Sequence, residues 1–518
     1  MSTAAPAAGA VPQERVATPV WEKAGNAVAL LLYSAVVLFT VRYHEKWADE
    51  AQAWLIARDL DLKTIWFHEL RYEGSPGLWH TILWIAQHVF HLPYAALGYI
   101  GVAFAIAGTA VLIYKAPFPW FIRWPLAFTY VMVYQYAVIA RPYTLLPLLC
   151  FLVAIFFKDV EHPVRMTVVL VALANLTLHG TILAGCFALL YLIEAIKVWP
   201  TLGESVRNRY FICAAAMVCT FLFIFIILKP TPDIEEFAVK REFAQLSEQA
   251  REQMNLASPW RKFTTITSGA FLDYFVPSAI FLALSGVWFF FRRRLFVFVL
   301  PVGVMLAVYA RIHGAAHHHG TAFVAAITAF WIAWPTGAEI ANSSPRKAWI
   351  VWTGISLLSC ICAVNIWDAA VVIKREYLFP YSGSEDAANY LRSVGADKGH
   401  IFGLLFGVVA VQAYFDHKIF DNLPTDYFHH GVPLTGTTLD VEQLESIQPE
   451  YVVAYSQEPK LMIETGLPQL TSRGYEVVHF SDGYYLYKQA VFEREVFFIL
   501  RRVHPTGGQT LQPLSPDK

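Results

Sequence analysis

Apolar runs near the roughly 20 residues that cross a hydrocarbon core recur along this chain. They lie at about 24–41, 94–114, 118–138, 142–157, 166–178, 180–197, 209–228, 276–291, 295–310, 320–334 and 349–370. This pattern predicts an α-helical polytopic membrane protein. The stretch 78–92 is also apolar, but His80, Gln87, His88 and His91 interrupt it, which suits a helix lying in the membrane interface. The first run follows Lys23 and reads as an uncleaved signal anchor. Residues 1–23 before it form a disordered cytoplasmic tail, rich in Ala, Pro and Val and lacking an apolar core.

Loop charges set the topology. If 78–92 does not cross, the positive-inside rule places Lys115/Arg123, Lys158/Arg165, Lys197/Arg207/Arg209, Arg292-Arg293-Arg294 and Arg346/Lys347 on the same side as Lys23. Eleven spans over 24–370 result. The loops 42–93 and 229–275, the His-rich turn 311–320 and the chain after 371 then face outward, and 166–197 must turn near His179-Gly180. The loop 229–275 reads as a solvated charged helix. From about 381 the polar content rises and short alternating segments appear. SGSEDAANYLRS reads as a helix, HIFGLLF and EYVVAYS as strands, and YEVVHFSDGYYLYKQ as a hairpin turning at Asp482-Gly483. A small extracytoplasmic α/β domain over 371–490 is expected, followed by a flexible tail over 491–518.

Composition supports the membrane reading. Of 518 residues, 56% are hydrophobic and 15% aromatic, and the mean hydropathy is +0.44, too apolar for a soluble globular chain. A net charge of −1 argues against a nucleic-acid partner. All six cysteines sit in apolar runs, as buried apolar residues do, so no disulfide framework is indicated.

Candidate chemistry concentrates in the loop from Trp47 to His80. Asp49-Glu50 heads an amphipathic helix whose Trp54, Leu55, Leu62, Ile65 and Trp66 fit a membrane surface. Transfer of a sugar to a hydroxyl needs a carboxylate base, which Asp49 or Glu50 can supply. Asp at this position also caps helices, a role compatible with catalysis. Glu73, in the turn Glu73-Gly74-Ser75-Pro76-Gly77, is a second carboxylate for the same pocket. His80 and Arg58 are candidate substrate contacts, Arg58 also being suited to lipid headgroups. Arg141, in Ala140-Arg141-Pro142-Tyr143, falls at an outer helix end, where it either snorkels or grips a phosphate. Arg311, His313, His317 and His318 lie in an outer turn that reads either as a phosphate contact or as a polar turn. The consecutive His317-His318-His319 point different ways on a helix, so a metal is the least supported reading.

A first span, a long outer loop with WADEAQAW, the turn EGSPGLWH, ARPYTL at the second outer loop and a C-terminal outer domain together resemble the GT-C superfamily of lipid-linked glycosyltransferases. The protein O-mannosyltransferase and lipid A aminoarabinose transferase group is the nearest by pattern. The resemblance implies a bacterial inner-membrane enzyme that moves a sugar from a polyprenyl-phosphate donor to a glycan, lipid or protein acceptor. It also implies Asp49 as base with Glu50 beside it, and donor-phosphate contacts from Arg141, Arg311 and the histidines. The chain departs from the group at Gln52, where the aminoarabinose type has Arg, and at Ser75-Pro76-Gly77. RPYT lacks the extra acid of the metal-dependent branch, so a reaction without a metal or other cofactor is expected. The alternatives are a lipid or solute transporter, which calls for ionisable residues deep in the spans, and a non-catalytic assembly protein.

Overall fold

The computed structural model describes residues 19–229, 259–311, 316–336, 339, 348–427 and 439–503. Residues 1–18 of the expected N-terminal tail, most of the charged stretch in 229–275, His313 and the chain from residue 504 lie outside these residues. Residues 20–23 instead open the first helix and residues 491–502 form a strand, so neither belongs to a disordered tail. The chain begins with α1 (Val20–Val41), α2 (Ala48–Asp59) and α3 (Leu78–His88). Next come α4 (Leu97–Lys115), α5 (Trp120–Ala127), α6 (Leu146–Phe156), α7 (Pro163–Ala174), α8 (Leu178–Lys197) and α9 (Glu204–Ile227). The bundle closes with α10 (Pro259–Ala270), α11 (Phe275–Phe291), α12 (Leu295–Arg311), α13 (Gly320–Ala333) and α14 (Ala348–Leu378).

Among the described residues, five helices are long and apolar enough to cross a membrane, namely α1, α4, α8, α9 and α14. A sixth crossing results if α10 and α11, bent by 77°, form one broken span. The expected eleven full-length spans are therefore not present as such. Several apolar runs fold as shorter helices: α7, with 12 residues, rises only ~18 Å, against a hydrocarbon core of roughly 30 Å. The run 118–138 is broken outright. After the eight residues of α5, with Pro125 inside it, the chain leaves the helix and makes a wide π-type turn at Val131–Gln135. Residues 129–140 are buried throughout except Phe128 before them, so this segment fills the bundle interior. The 166–197 hairpin does form, but it turns at Asn175–Thr177, where the Thr177 hydroxyl accepts the Gly180 N–H at 2.9 Å and starts α8 before His179.

Helix α13 is the hub, with every residue from Gly320 to Ala333 buried. It packs against α6 and α12, and α12 packs against α8 and α10. A helix apolar all round belongs at such a centre. Of the cysteines, Cys219 and Cys360 are exposed on helix faces rather than buried as expected, while Cys150, Cys186, Cys213 and Cys362 are buried; all six are unbridged.

The C-terminal unit contains α15 (Ser384–Ser393), α16 (Val408–Gln412), α17 (Val441–Ile447) and a four-stranded sheet. Its strands are β1 (Ile401–Leu404), β2 (Tyr451–Ser456), β3 (Tyr475–Tyr487) and β4 (Ala490–Arg502), in the order β1-β2-β4-β3. β1 and β2 run parallel, and the other pairs are antiparallel. The expected turn at Asp482-Gly483 is not a turn. β3 runs straight through both residues, and the hairpin closes at Lys488-Gln489, with Lys488 at φ +53°. Gly483 serves close approach instead, since a Cβ there would lie 2.4 Å from the Ser382 backbone.

The expected surface helix is also corrected. Ala48, Ala51, Leu55 and Ile56 belong to the core of the C-terminal unit, and Ala53, Trp54 and Ala57 to the bundle core with Trp79 and Leu83. Ile65 is buried too. Helix α2 is a shared wall between two cores and has no apolar face left for lipid.

Candidate functional site

Helix α2 begins after Trp47, whose extended backbone starts the first turn. Glu50, at the third helical position, reaches back and accepts the Trp47 N–H at 3.3 Å, the back-bond of a capping box. Glu50 thus does the capping work that suited Asp49. Asp49 projects sideways, and its Oδ2 meets Arg141 Nη1 at 2.8 Å.

Arg141 is extended, as the residue before a proline tends to be, and the peptide after it enters a short turn at Pro142–Leu145. Its Nη1 also donates to His317 Nε2 at 2.9 Å. Accepting that bond requires a lone pair on Nε2; burial first, then the Arg141 charge, hold the His317 pKa well below the ordinary value. The guanidinium lies 5.5 Å from the Trp47 ring and 6.0 Å from that of Tyr143. Tyr143 stacks on Tyr136 at 5.4 Å, and its hydroxyl is 3.0 Å from His179 Nδ1.

Behind this pair lies a second, closed network. Glu50 is fully buried; its Oε1 accepts the Ala140 N–H at 2.7 Å and its Oε2 pairs with His44 Nε2 at 3.0 Å. His44 Nδ1 meets Glu376 Oε1 at 2.8 Å, and Glu376 also accepts the Tyr134 hydroxyl. Burial works against charge on His44, but Glu50 and Glu376 on either side raise its pKa to about 10. Burial would raise Glu50, yet the His44 charge and the Ala140 bond bring it below the usual carboxylate range. Glu50, expected to share the chemistry, is committed instead to holding α2 against the strand of backbone that carries Arg141.

Asp49 and Arg141 open into a pocket of about 270 Å³. Glu73 and His80 line it from the first loop, His179 from the start of α8, Tyr309 from the end of α12, and His318 from the turn before α13. Gly74 terminates the short helix Leu70–Glu73 in the left-handed region, at φ +61°, and so fixes Glu73 at the rim. Glu73 Oε1 accepts from Gln52 Nε2 at 3.1 Å. Burial, helped by the Asp49 charge and opposed by Gln52 and Arg141, brings Glu73 to about 7. His80 is buried, which lowers it to about 4, and neither ring nitrogen has a hydrogen-bond partner.

The structure therefore gathers Asp49, Glu73, His80, Arg141 and His318 around one cavity, with His317 directly behind Arg141. Arg58 lies elsewhere: it donates to Phe415 O at 2.8 Å and pairs with Asp59 and Asp426, tying α2 to the C-terminal unit. Arg311 stands exposed at the end of α12 and is not part of the lining. Residues missed in the sequence are His44, Glu376 and Tyr134, which are far apart along the chain and carry no local motif. His179 had a signal, a lone polar ring beside Gly180 at the break between two apolar runs. Among the described residues, no group of three or more His, Cys, Asp or Glu is arranged to hold a metal ion. Comparison with protein families, with curated proteins and with solved structures finds no match for this chain.

Proposed function

We propose that this chain is a GT-C-like membrane glycosyltransferase that moves a sugar from a polyprenyl-phosphate donor to an acceptor hydroxyl on the extracytoplasmic face of a bacterial inner membrane. The observation that carries the reading is the Asp49–Arg141 pair, 2.8 Å apart, at the mouth of an aromatic and histidine-lined pocket where apolar helices end. A base for the acceptor and a cation for the donor phosphate stand side by side.

The topology needed is eleven crossings, the shorter helices among them being completed by flanking chain. Two features support it. The pocket gathers the ends of segments that the positive-inside rule places outward, around residues 49, 73–80, 141, 179, 309 and 318. The far ends of the same helices carry the basic residues: Arg294 and Lys197 pair with Glu194, and Arg292 pairs with Glu339.

In the reaction, the donor phosphate displaces Asp49 from Arg141, whose planar fork suits an anionic phosphate. The freed Asp49 carboxylate takes the proton of the acceptor hydroxyl, a role worth about 10²–10⁴-fold in rate. The acceptor oxygen bonds to the anomeric carbon as the carbon–oxygen bond to phosphate breaks. The electron pair leaves on the phosphate, stabilised by Arg141. The leaving group is a phosphate monoester, a stable anion that departs without protonation, so one carboxylate suffices where glycosidases use two. Single displacement inverts the anomeric centre. Purified protein incubated with polyprenyl-phosphate sugars and a membrane extract as the source of acceptor hydroxyls should release polyprenyl phosphate, and Asp49→Asn should abolish release; movement of intact lipid across liposomes without release would favour a transporter.

A further inference from the structure

We infer that the pocket beside Asp49 receives a single uncharged sugar ring, with His80 as a residue that binds its hydroxyls. This rests on the transferase reading and names the class of sugar transferred. His80 is 3% exposed, lines the pocket, and has both ring nitrogens unpaired. Leaving buried polar atoms unpaired is unfavourable, so such atoms in a folded protein call for an explanation. A neutral imidazole offers one N–H and one lone pair, and a hydroxyl, both donor and acceptor, satisfies either. Burial, which lowers His80 to about 4, keeps the ring neutral at physiological pH.

The rest of the lining fits the same ligand. The fixed charges Asp49 and Arg141 offset each other in the free protein; when a donor binds, Arg141 is committed to its phosphate and Asp49 to the acceptor hydroxyl. Among the described lining residues no second arginine or lysine is present for a sugar carboxylate. Glu73 is engaged by Gln52 and sits near neutrality, a hydroxyl-bonding group more than an ammonium-pairing one. Trp79 and Tyr143 add aromatic rings to the lining, an apolar complement to the C–H groups of a sugar. A cavity of about 270 Å³ is smaller than most sites for drug-sized ligands, which suits one ring.

The test uses the full chain in nanodiscs, titrated calorimetrically with citronellyl-phosphate esters of glucose, mannose, galactose, glucosamine and glucuronic acid. The corresponding methyl glycosides are titrated in parallel. At least one neutral ester should bind tenfold or more tightly than both charged ones. His80→Ala should weaken that binding about tenfold, the loss of one or two net hydrogen bonds. His80→Gln, which retains a donor and an acceptor, should recover part of it. His80→Leu should match or exceed the wild-type thermal midpoint while binding poorly, because a purely structural histidine would not be replaced without loss. Preferential binding of a charged ester overturns the uncharged-ring inference and leaves the transferase reading standing. Binding of a methyl glycoside without any ester keeps the ring and removes the lipid-linked donor. Neutral-ester affinity unchanged in His80→Ala, or no binding by any probe, overturns the inference.

Discussion

Asp49 and Glu50 are chemically alike and adjacent, yet the rotation of about 100° between neighbouring helical residues sends them to different tasks. Asp49 is partly exposed and paired with Arg141 at the pocket, whereas Glu50 is buried between the Trp47 and Ala140 amides and His44. Removing Glu50 leaves the Ala140 N–H without its acceptor and the His44 imidazolium with Glu376 as its remaining carboxylate in the interior. Breaking a buried pair this way costs about 3–5 kcal/mol, so Glu50→Ala should lower the thermal midpoint clearly and reduce activity with it. An unchanged midpoint would contradict the positioning role. His44 carries a pH signature as well. Its pKa in the folded chain, about 10, stands above the ordinary 6.5, so the folded state holds an extra proton between these values. The stability this confers is complete below about pH 6.5 and is lost as the pH rises through 10. Thermal midpoints measured from pH 6.5 to 10 should fall, and His44→Gln should flatten the slope; parallel curves for the two proteins would contradict the assignment.

At the level of elements, the C-terminal unit is pinned to the bundle by the β3–β4 turn. Lys488 is buried and pairs with Asp273 and with Asp368, 3.4 Å away, whose side chain is fully buried. Gln489 donates to Asp368 at 2.8 Å, and the Tyr487 hydroxyl is 3.0 Å from His319 Nδ1. Lys488→Ala strands Asp368 in the interior, so destabilisation of roughly 3–5 kcal/mol is expected, together with faster proteolysis at the link near 379–383. Cleavage at the wild-type rate would show that the peg does not hold the unit. The helix after Gly383 and the strands β1 and β2 were legible because their period and flanking turns are local. The hairpin tip was not, because Asp-Gly is a strong turn signal whose glycine here serves an approach by Ser382 instead. Helix α2 misled for a related reason: two apolar stripes belonging to two cores look, in sequence, like one stripe for lipid.

For the whole molecule, the apolar runs announced membrane-spanning helices, and Asp49 and Arg141 each stood out as charges in the outer loops between such runs; that they pair with each other was not legible, because they lie on different elements. The break within 118–138 could not be foreseen, since composition does not distinguish a crossing that leaves the helix midway from a straight helical one. Nor could the His44–Glu50–Glu376 network, which depends on which helices end up as neighbours. The proposed eleven crossings place Lys398 outside and Arg165 inside. In a background lacking the six cysteines, Lys398→Cys should react with a membrane-impermeant maleimide on intact spheroplasts. Arg165→Cys should react only after permeabilisation, and the reverse pattern would overturn the topology. The measurement that reaches furthest is release of free polyprenyl phosphate from a panel of polyprenyl-phosphate sugars, with a membrane extract supplying acceptor hydroxyls, by purified wild type and Asp49→Asn, each checked for folding. Release by wild type that falls at least a hundredfold in Asp49→Asn is the expected result; equal release by the two proteins would contradict Asp49 as the base, and no release from any donor would contradict the transferase itself.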